Sequence, residues 1–303
     1  MKIKKVLITG VAGFIGSNLL DFLMEHTDWE ITGIDNLSTG SEKNISLHYS
    51  QKRFHFIKSS CTGLGSLKEF DCIFHLAALP RIQPSFDSVN EHLEANLLSG
   101  TFLLEMMIRE NHYPRFVYSG SSAIYGNPER FPTPEKEPVR CLNPYAFQKY
   151  ELEVYLEILS SRYPIDYVTL RYFNPYGPGS YNPENKFNAY SSVVGIFLNR
   201  KEQGKALKVT GDGSQSRDFI HVLDVANANY LAAVHQGKLN TAFNIGIGTS
   251  LKIIDLAKMI SPDIEFVSRR AGEAERTCAD ISKAAGMLGW KPKLTLNDYF
   301  KSI

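Results

Sequence analysis

The sequence predicts an α/β protein: a doubly wound parallel sheet followed by a second, smaller α/β domain. Three observations carry this. Short apolar runs alternate with amphipathic helical segments over roughly the first 175 residues, the rhythm of βαβ units. The first run, Val6-Leu7-Ile8, breaks into a turn with Gly10, Gly13 and Gly16 and then a helical pattern (Leu19, Leu20, Leu23). The residues with chemical potential fall where the apolar runs end, and doubly wound sheets bind their ligands beyond the C-terminal ends of their strands.

Strand, glycine turn and helix, in that order, are the context of a dinucleotide fingerprint of the Rossmann type. Gly10 permits the tight turn. Gly13 lets the backbone approach a pyrophosphate, and Gly16 lets the helix pack close to the strand. The helix N-terminus, with Phe14 and Ile15, then offers free N–H groups and a positive dipole to phosphates. The second run, Glu30 to Ile34, ends at Asp35, roughly 20 residues beyond the glycines, where an acid can bind the adenosine ribose hydroxyls. An acid there repels a 2′-phosphate, so NAD is expected rather than NADP.

A polar turn follows, Asn36-Leu37-Ser38-Thr39-Gly40. Phe54-His55-Phe56-Ile57 reads as a third strand, and Asp71 to Ala78 as a fourth strand entering a loop. Glu91 to Arg109 reads as one long amphipathic helix. Arg115 to Ser119 is a fifth strand, Pro144 to Leu159 a helix and Tyr167 to Arg171 a sixth strand. Past Asn174 the rhythm breaks at Pro175, Pro178 and Pro183. The expected organisation is a dinucleotide-binding domain over 1–174 and a substrate domain over 175–303, with a return to the sheet near Phe243-Asn244-Ile245. A final helix begins near Leu296.

Composition narrows the function classes. Among 303 residues, 33 are Lys or Arg and 32 are Asp or Glu. Such balance gives no general attraction to nucleic acid or to an anionic membrane. An anionic substrate would need a local Arg or Lys cluster. The four cysteines, Cys61, Cys72, Cys141 and Cys278, form no CxxC pair, which suggests a reducing, cytoplasmic compartment with neither disulfides nor structural zinc. The basic, then apolar N-terminus is interrupted by the glycine turn and lacks a small-residue cleavage site, so a strand is expected there rather than a signal peptide. No stretch approaches the length of a membrane span.

Tyr145-Ala146-Phe147-Gln148-Lys149 carries the sharpest chemistry. Positions i and i+4 share a helix face, so Tyr145 and Lys149 project together. With a pKa near 10, only about one free tyrosine in a thousand is phenolate at neutral pH. A nearby ammonium and a cationic nicotinamide ring would favour the phenolate and make Tyr145 a general base. Alone, the pair also fits an ordinary surface Tyr/Lys contact. It gains weight from the Ser-rich loop Ser119-Gly120-Ser121-Ser122-Ala123-Ile124-Tyr125-Gly126, where a hydroxyl can bond a reacting oxygen. Asn96, on the long helix, could orient that loop or a water, or be a satisfied structural asparagine.

Together, several motifs resemble the extended short-chain dehydrogenase/reductase superfamily, and within it the NAD-dependent UDP-hexose 4-epimerases. They are the glycine triplet, Asp35 to Gly40, His75-Leu76-Ala77-Ala78, Ser121 with Tyr125-Gly126, Tyr145-x-x-x-Lys149 and Leu170-Arg171-Tyr172-Phe173-Asn174-Pro175. The likeness extends through Gly211-Asp212-Gly213, Arg217 to Val222, Arg270-Ala271-Gly272-Glu273 and Ala279 to Ala284.

The resemblance implies catalytic roles for Ser121, Tyr145 and Lys149. It implies cofactor contacts from the glycine turn, Asp35, Asn36, Ser38, Thr39, Gly40, Ser60, Cys61, Leu76, Ala77, Ala78, Asn96, Ser119, Tyr145, Lys149 and Tyr172. Asn174, Arg217 and Arg270 would hold the substrate diphosphate, in keeping with the guanidinium's fit to phosphate oxygens. Glu273 would hold the uridine ribose, with Ser192, Val193, Lys208 and Val209 near the uracil and ribose. Where the family often places Gly-Asp after the third strand to hold adenine, this chain has Ser59-Ser60-Cys61. Relatives of this kind are commonly dimers built on two long helices; Glu91–Arg109 and Pro144–Leu159 are the candidates here.

The loop after the fifth strand separates the chemistries. Sugar-nucleotide 4,6-dehydratases typically carry Asp-Glu after the catalytic Ser or Thr, and UDP-glucuronate decarboxylases a Glu at the Ala123 position. Here Ser122 and Ala123 stand there, and alanine cannot transfer a proton. Reversible C4 epimerisation of a UDP-hexose, through a 4-keto sugar with retained NAD, needs only one base and is the expected activity. Thr277 is small where a bulky Tyr can restrict relatives to UDP-glucose and UDP-galactose, so N-acetylhexosamines are expected to fit. The alternatives are a UDP-uronic acid 4-epimerase and a NAD-dependent nucleotide-sugar reductase or dehydrogenase.

Overall fold

Strand periodicity organises the interior. In the first strand Val6 and Ile8 face one helical layer and Leu7 the other, and Phe74/Ile73 and Val117/Phe116 repeat the alternation. A sheet apolar on both faces must be covered on both, which is the parallel, doubly wound solution. The computed structural model describes residues 3–80, 82–181 and 192–303. Pro183 lies outside them.

The first half runs β1 (Lys5–Thr9), α1 (Phe14–His26), β2 (Glu30–Asp35), β3 (Phe54–Lys58), β4 (Cys72–His75), α2 (Ile82–Asp87), α3 (Val89–Leu93), α4 (Ser99–Glu110), β5 (Arg115–Ser121), α5 (Pro144–Ser160) and β6 (Tyr167–Tyr172). The second half runs α6 (Val193–Glu202), β7 (Leu207–Thr210), β8 (Ser216–Arg217), α7 (Val222–Val234), β9 (Thr241–Ile245), β10 (Leu251–Lys252), α8 (Ile253–Ile260), β11 (Ile264–Val267), α9 (Ser282–Leu288) and α10 (Leu296–Ser302).

Seven strands form one sheet in the order β3-β2-β1-β4-β5-β6-β9, every pair parallel. The order reverses between β1 and β4, which opens a crevice at their C-terminal ends. Helices α1, α7 and α9 cover one face; α4 and α5 cover the other. Helix α7 and strand β9 thus bring residues 222–245 back to the large sheet. A separate core packs α6, β7 and α8 around Phe197, Leu207, Val209, Phe219 and Leu256. Two small sheets, β8 with β10 and β7 with β11, complete this side.

One expected element differs. The long helix from Glu91 is interrupted by a π-helical segment, Glu94–Leu98, between α3 and α4. The wider turn inserts a residue into the helical phase and directs Asn96 into the interior, where it is fully buried. Among the described residues no helix is long and apolar enough to cross a membrane. The four cysteines are unpaired.

Candidate active site

A cavity of about 1250 Å³ opens at the C-terminal ends of β1, β4, β5 and β6 and extends under the second half of the chain. Its inner end is the glycine turn. Gly10 has φ +71°, and a Cβ there would meet the Ala77 nitrogen at 2.8 Å. A Cβ on Gly16 would collide with the Gly10 carbonyl oxygen, so only glycine lets α1 sit this close to the turn. No side chain caps α1. Gly13, Phe14, Ile15 and Gly16 all line the cavity, so the helix start faces it.

Asp35 sits at the rim, almost fully buried. Its carboxylate accepts from the Ala12 N–H at 2.9 Å and the Leu37 N–H at 2.8 Å, which ties the glycine turn to the end of β2. Burial pushes this carboxyl up, and the two N–H donors hold it back. Asn36, Ser38, Thr39, Ser60, Cys61, Leu76, Ala77 and Ala78 continue the same wall. Ser60 Oγ lies 2.6 Å from Thr62 Oγ1. Burial pushes the Cys61 thiol up to about 12, so it stays protonated. A donor-rich helix start, a backbone close approach and an acid at the second strand end fit a dinucleotide.

The chemical centre lies at the ends of β5 and α5. Asn143 caps α5 and Pro144 occupies its first turn, which fixes where the helix begins. Tyr145, Lys149, Ser119, Ser121, Ser122 and Ala123 line the cavity together. Tyr145 is half-buried, with Ser121 beside it. Burial raises the Tyr145 phenol, and the neighbouring Ser121 hydroxyl opposes the rise. Lys149 lies 4.8 Å over the Tyr118 ring. Burial pulls its ammonium down to about 7, and the Glu153 carboxylate, one turn on, works to keep it charged.

Glu153 is held by Arg171, whose Nη2 and Nε donate to Oε2 at 2.7 and 3.1 Å. Both side chains are under 10% exposed. Tyr172 lines the cavity while its hydroxyl pairs with Asn229. His75 is buried beneath the site, its Nδ1 2.9 Å from Thr9 Oγ1. Burial lowers it to about 3, so the ring is neutral. Thr9 Oγ1 also accepts from the Leu76 and Ala77 N–H groups, which shapes the wall at that point.

Asn174, Ser192, Val193, Lys208, Arg217, Arg270, Glu273 and Thr277 line the outer end of the cavity. Glu273 lies 3.6 Å from Arg217 and 3.9 Å from Arg270. Asn174 Nδ2 donates to Thr277 Oγ1 at 3.1 Å, and the Asp218 N–H donates to the same hydroxyl at 3.1 Å.

Three expected contacts do not face the cavity. Val209 points into the α6–α8 core, because strand β7 alternates and Lys208 takes the cavity side. Gly40 packs on the backbone of Ala12. Asn96 holds a loop instead: its Oδ1 accepts from the Leu79 N–H at 2.7 Å and its Nδ2 donates to Gln148 Oε1 at 3.0 Å.

Two further residues support the site without a role assigned to them from the motifs. Glu153 is visible only as the next i+4 step after Lys149. Asp218 is fully buried and accepts backbone N–H groups from Ile247, Gly248 and Ala279, tying three segments together beside Arg217. Among the described residues no group of His, Cys, Asp and Glu is placed to hold a metal.

A parallel sheet whose first helix start opens onto the cavity, a clustered Ser/Tyr/Lys set and an arginine-lined outer end together define a dinucleotide-dependent enzyme acting on a phosphorylated substrate. The chain belongs to the NAD dependent epimerase/dehydratase family, whose model matches residues 6–246. It is 33% identical to a UDP-glucose 4-epimerase of Mycolicibacterium smegmatis over 96% of this chain and 95% of that one. It is similar to a UDP-N-acetylglucosamine 4-epimerase from Methanobrevibacter ruminantium, solved with UDP-N-acetylmuramic acid (32% identity, TM-score 0.88, covering 100% of this chain and 96% of that one). It is also similar to a UDP-glucuronic acid 4-epimerase from Bacillus cereus, solved with UDP-glucuronic acid and NAD (27% identity, TM-score 0.90, covering 98% and 96%).

Proposed function

We propose that the chain catalyses reversible C4 epimerisation of a UDP-hexose, with NAD as its retained cofactor. One observation carries the choice of chemistry. Tyr145 and Ser121 line the same cavity wall, and the same loop presents Ala123 where an elimination or decarboxylation would need a carboxyl group. The loop therefore serves one proton transfer.

Tyr145 takes the proton of the sugar 4-hydroxyl and later returns it. Ser121 hydrogen-bonds the same oxygen through both half-reactions. Lys149 supplies positive charge to the phenolate side. Bound NAD supplies a reversible hydride acceptor and a cationic ring that favours the phenolate. Asn174, Arg217 and Arg270 hold the diphosphate and Glu273 the uridine ribose, so the sugar can present its other face while the nucleotide stays anchored.

Thr277 favours a sugar site that admits N-acetylhexosamines. Its side chain is short, and its hydroxyl is already held by Asn174 and Asp218. A homodimer is supported by α5, which exposes Phe147, Tyr155 and Ile158 along one face beside the exposed Val89 and Leu98. An apolar face of this kind suits a second copy. Unpaired cysteines suit a cytoplasmic enzyme.

A substrate panel tests the proposal. Purified protein is incubated with UDP-galactose, UDP-N-acetylgalactosamine and UDP-galacturonate, and the products are resolved by chromatography. Interconversion without added NAD supports an epimerase; stoichiometric NADH release would instead establish a dehydrogenase. Tyr145→Phe should lose roughly 10²–10⁴ in turnover while still binding UDP-sugar.

A further inference from the structure

The segment that carries Arg270 and Glu273 is held against the first half of the chain by side chains with no part in the chemistry. Asn143 works in two directions. Its Oδ1 accepts from the Ala146 N–H at 2.8 Å, which caps α5. Its Nδ2 donates to the Gly272 carbonyl oxygen at 3.0 Å. Gln83, on α2, donates from Nε2 to the neighbouring Ala271 carbonyl at 2.7 Å. Phe86, on the same helix, packs so closely that a Cβ on Gly272 would lie 3.0 Å from its ring. Helix α2 is itself fastened to α5, because the Tyr145 N–H donates to Ser85 Oγ at 3.2 Å. The start of the catalytic helix and helix α2 therefore each hold one of two adjacent carbonyls of the arginine-bearing segment.

We infer that Asn143 and Gln83 form a latch that keeps the Arg270–Glu273 segment closed over the nucleotide while the oxidised sugar turns over. This rests on the epimerase reading. Once oxidised at C4, the sugar must leave Tyr145 and return by its other face. Its own contacts are then broken, and retention falls on the nucleotide-holding segment. Arg270 is half exposed, and its ion pair with Glu273, at 3.9 Å, lies within the same segment. The two carbonyl contacts anchor the backbone beside it. Asn143 and Gln83 are thus positioning residues. They set how long the oxidised sugar is retained.

The redox balance makes a failed latch visible. At the oxidised stage the C4 hydrogen has left as hydride to the cofactor and the O4 proton is on Tyr145. A 4-keto sugar that escaped at this point would leave one reduced cofactor behind for each molecule lost.

The test compares wild-type holoenzyme with Asn143→Asp and Gln83→Met. Asn143→Asp keeps the helix cap but sets a carboxylate oxygen against the Gly272 carbonyl. Gln83→Met keeps the volume and leaves α5 untouched. Three quantities are read: the melting temperature, kcat and KM for UDP-galactose with absorbance at 340 nm, and the Kd for UDP alone by calorimetry. Both variants should melt within about 2 °C of wild type and raise KM and the UDP Kd roughly three- to tenfold, the scale of one lost hydrogen bond. They should also accumulate reduced cofactor several times faster per turnover. Wild-type KM, UDP Kd and cofactor accumulation in both variants would overturn the latch. So would an Asn143→Asp enzyme that loses stability and kcat alone, since Asn143 would then be only a cap. If wild type interconverts no UDP-sugar, the epimerase reading fails, and the UDP Kd still decides whether the segment is latched.

Discussion

Removing either partner of the buried Arg171–Glu153 pair separates its structural role from its effect on the active site. Both side chains are under 10% exposed and joined by a forked contact, with Nη2–Oε2 at 2.7 Å. Arg171 Nη1 also donates to Tyr125 Oη at 2.7 Å and to the Glu135 carbonyl at 3.0 Å. Truncating one partner strands the other's charge in the interior, at about 3–5 kcal/mol. At about 2 °C per kcal/mol for a chain of this size, Arg171→Leu and Glu153→Leu should each melt roughly 6–10 °C lower. The double Leu variant strands no charge and should recover most of the loss, a coupling of at least about 2 kcal/mol in a urea-unfolding cycle.

Activity should not recover with it. Glu153 works to keep Lys149 charged. The ammonium is present below its value of about 7 and is lost as pH rises through it. Without the carboxylate that value falls further, so the alkaline limb of kcat should move to lower pH in Glu153→Leu and in the double variant alike. The assay is kcat from pH 6 to 9 on proteins whose folding is verified at each pH. Additive stability losses would refute the buried-pair account. A wild-type alkaline limb in the double variant would remove Glu153 from the electrostatics of the site.

Lys149 itself should cost stability. Its folded value of about 7 lies below 10.5, so the folded state binds fewer protons between those pH values and stability rises with pH across them. The full penalty applies below pH 7 and, at 1.36 kcal/mol per pH unit, is at most about 5 kcal/mol. Lys149→Met should therefore unfold at higher urea than wild type at pH 6–7, with the gap closing toward pH 10, while turnover collapses; a less stable variant at pH 7 would show that the ammonium is well solvated. Gly16→Ala should purify with less than a tenth of the wild-type NAD content by chromatography, because its Cβ meets the Gly10 carbonyl; full cofactor content would show that the turn relaxes freely. Asn96→Leu leaves the buried Leu79 N–H without its acceptor, at about 1–3 kcal/mol. Its melting temperature should fall by a few degrees and its cofactor should dissociate faster, and an unchanged melting temperature would show that another group takes the N–H.

The large sheet was legible because its strands are short apolar runs closed by glycine or polar turns, and parallel βαβ units leave few orders to choose from. Lys5–Thr9, Glu30–Asp35 and Tyr167–Tyr172 fall within a residue or two of the patterns that predict them. The small sheets were not legible. Strands of two to four residues, such as Ser216–Arg217, carry no measurable period. The π segment escaped for a related reason: Glu91 to Arg109 keeps an adequate helical pattern, and one inserted residue changes only which side Asn96 faces. Arg217 and Arg270 carry no local pattern of their own, and only the resemblance pointed to them. The rise that burial imposes on the Tyr145 phenol was not legible, because spacing reveals a neighbouring lysine but not burial.

What the motifs conceal is how the loops bearing them keep their shape. A loop at the end of a parallel strand leaves N–H and C=O groups outside the ladder, and those that are buried must find partners. Here side chains from distant segments supply them. Thr9 accepts from Leu76 and Ala77, Asn96 from Leu79, Ser85 from Tyr145 and Asp218 from Ile247, while Asn143 donates to Gly272. In each pair one member or its neighbour lines the cavity. The partners are ordinary polar residues, most of them 60 or more positions apart, so no local pattern marks them. Exchanging one would free a backbone segment beside the cavity while leaving Tyr145, Lys149 and Ser121 unchanged in sequence. It follows that sugar preference and cofactor retention can drift through these contacts without any change in the catalytic motif.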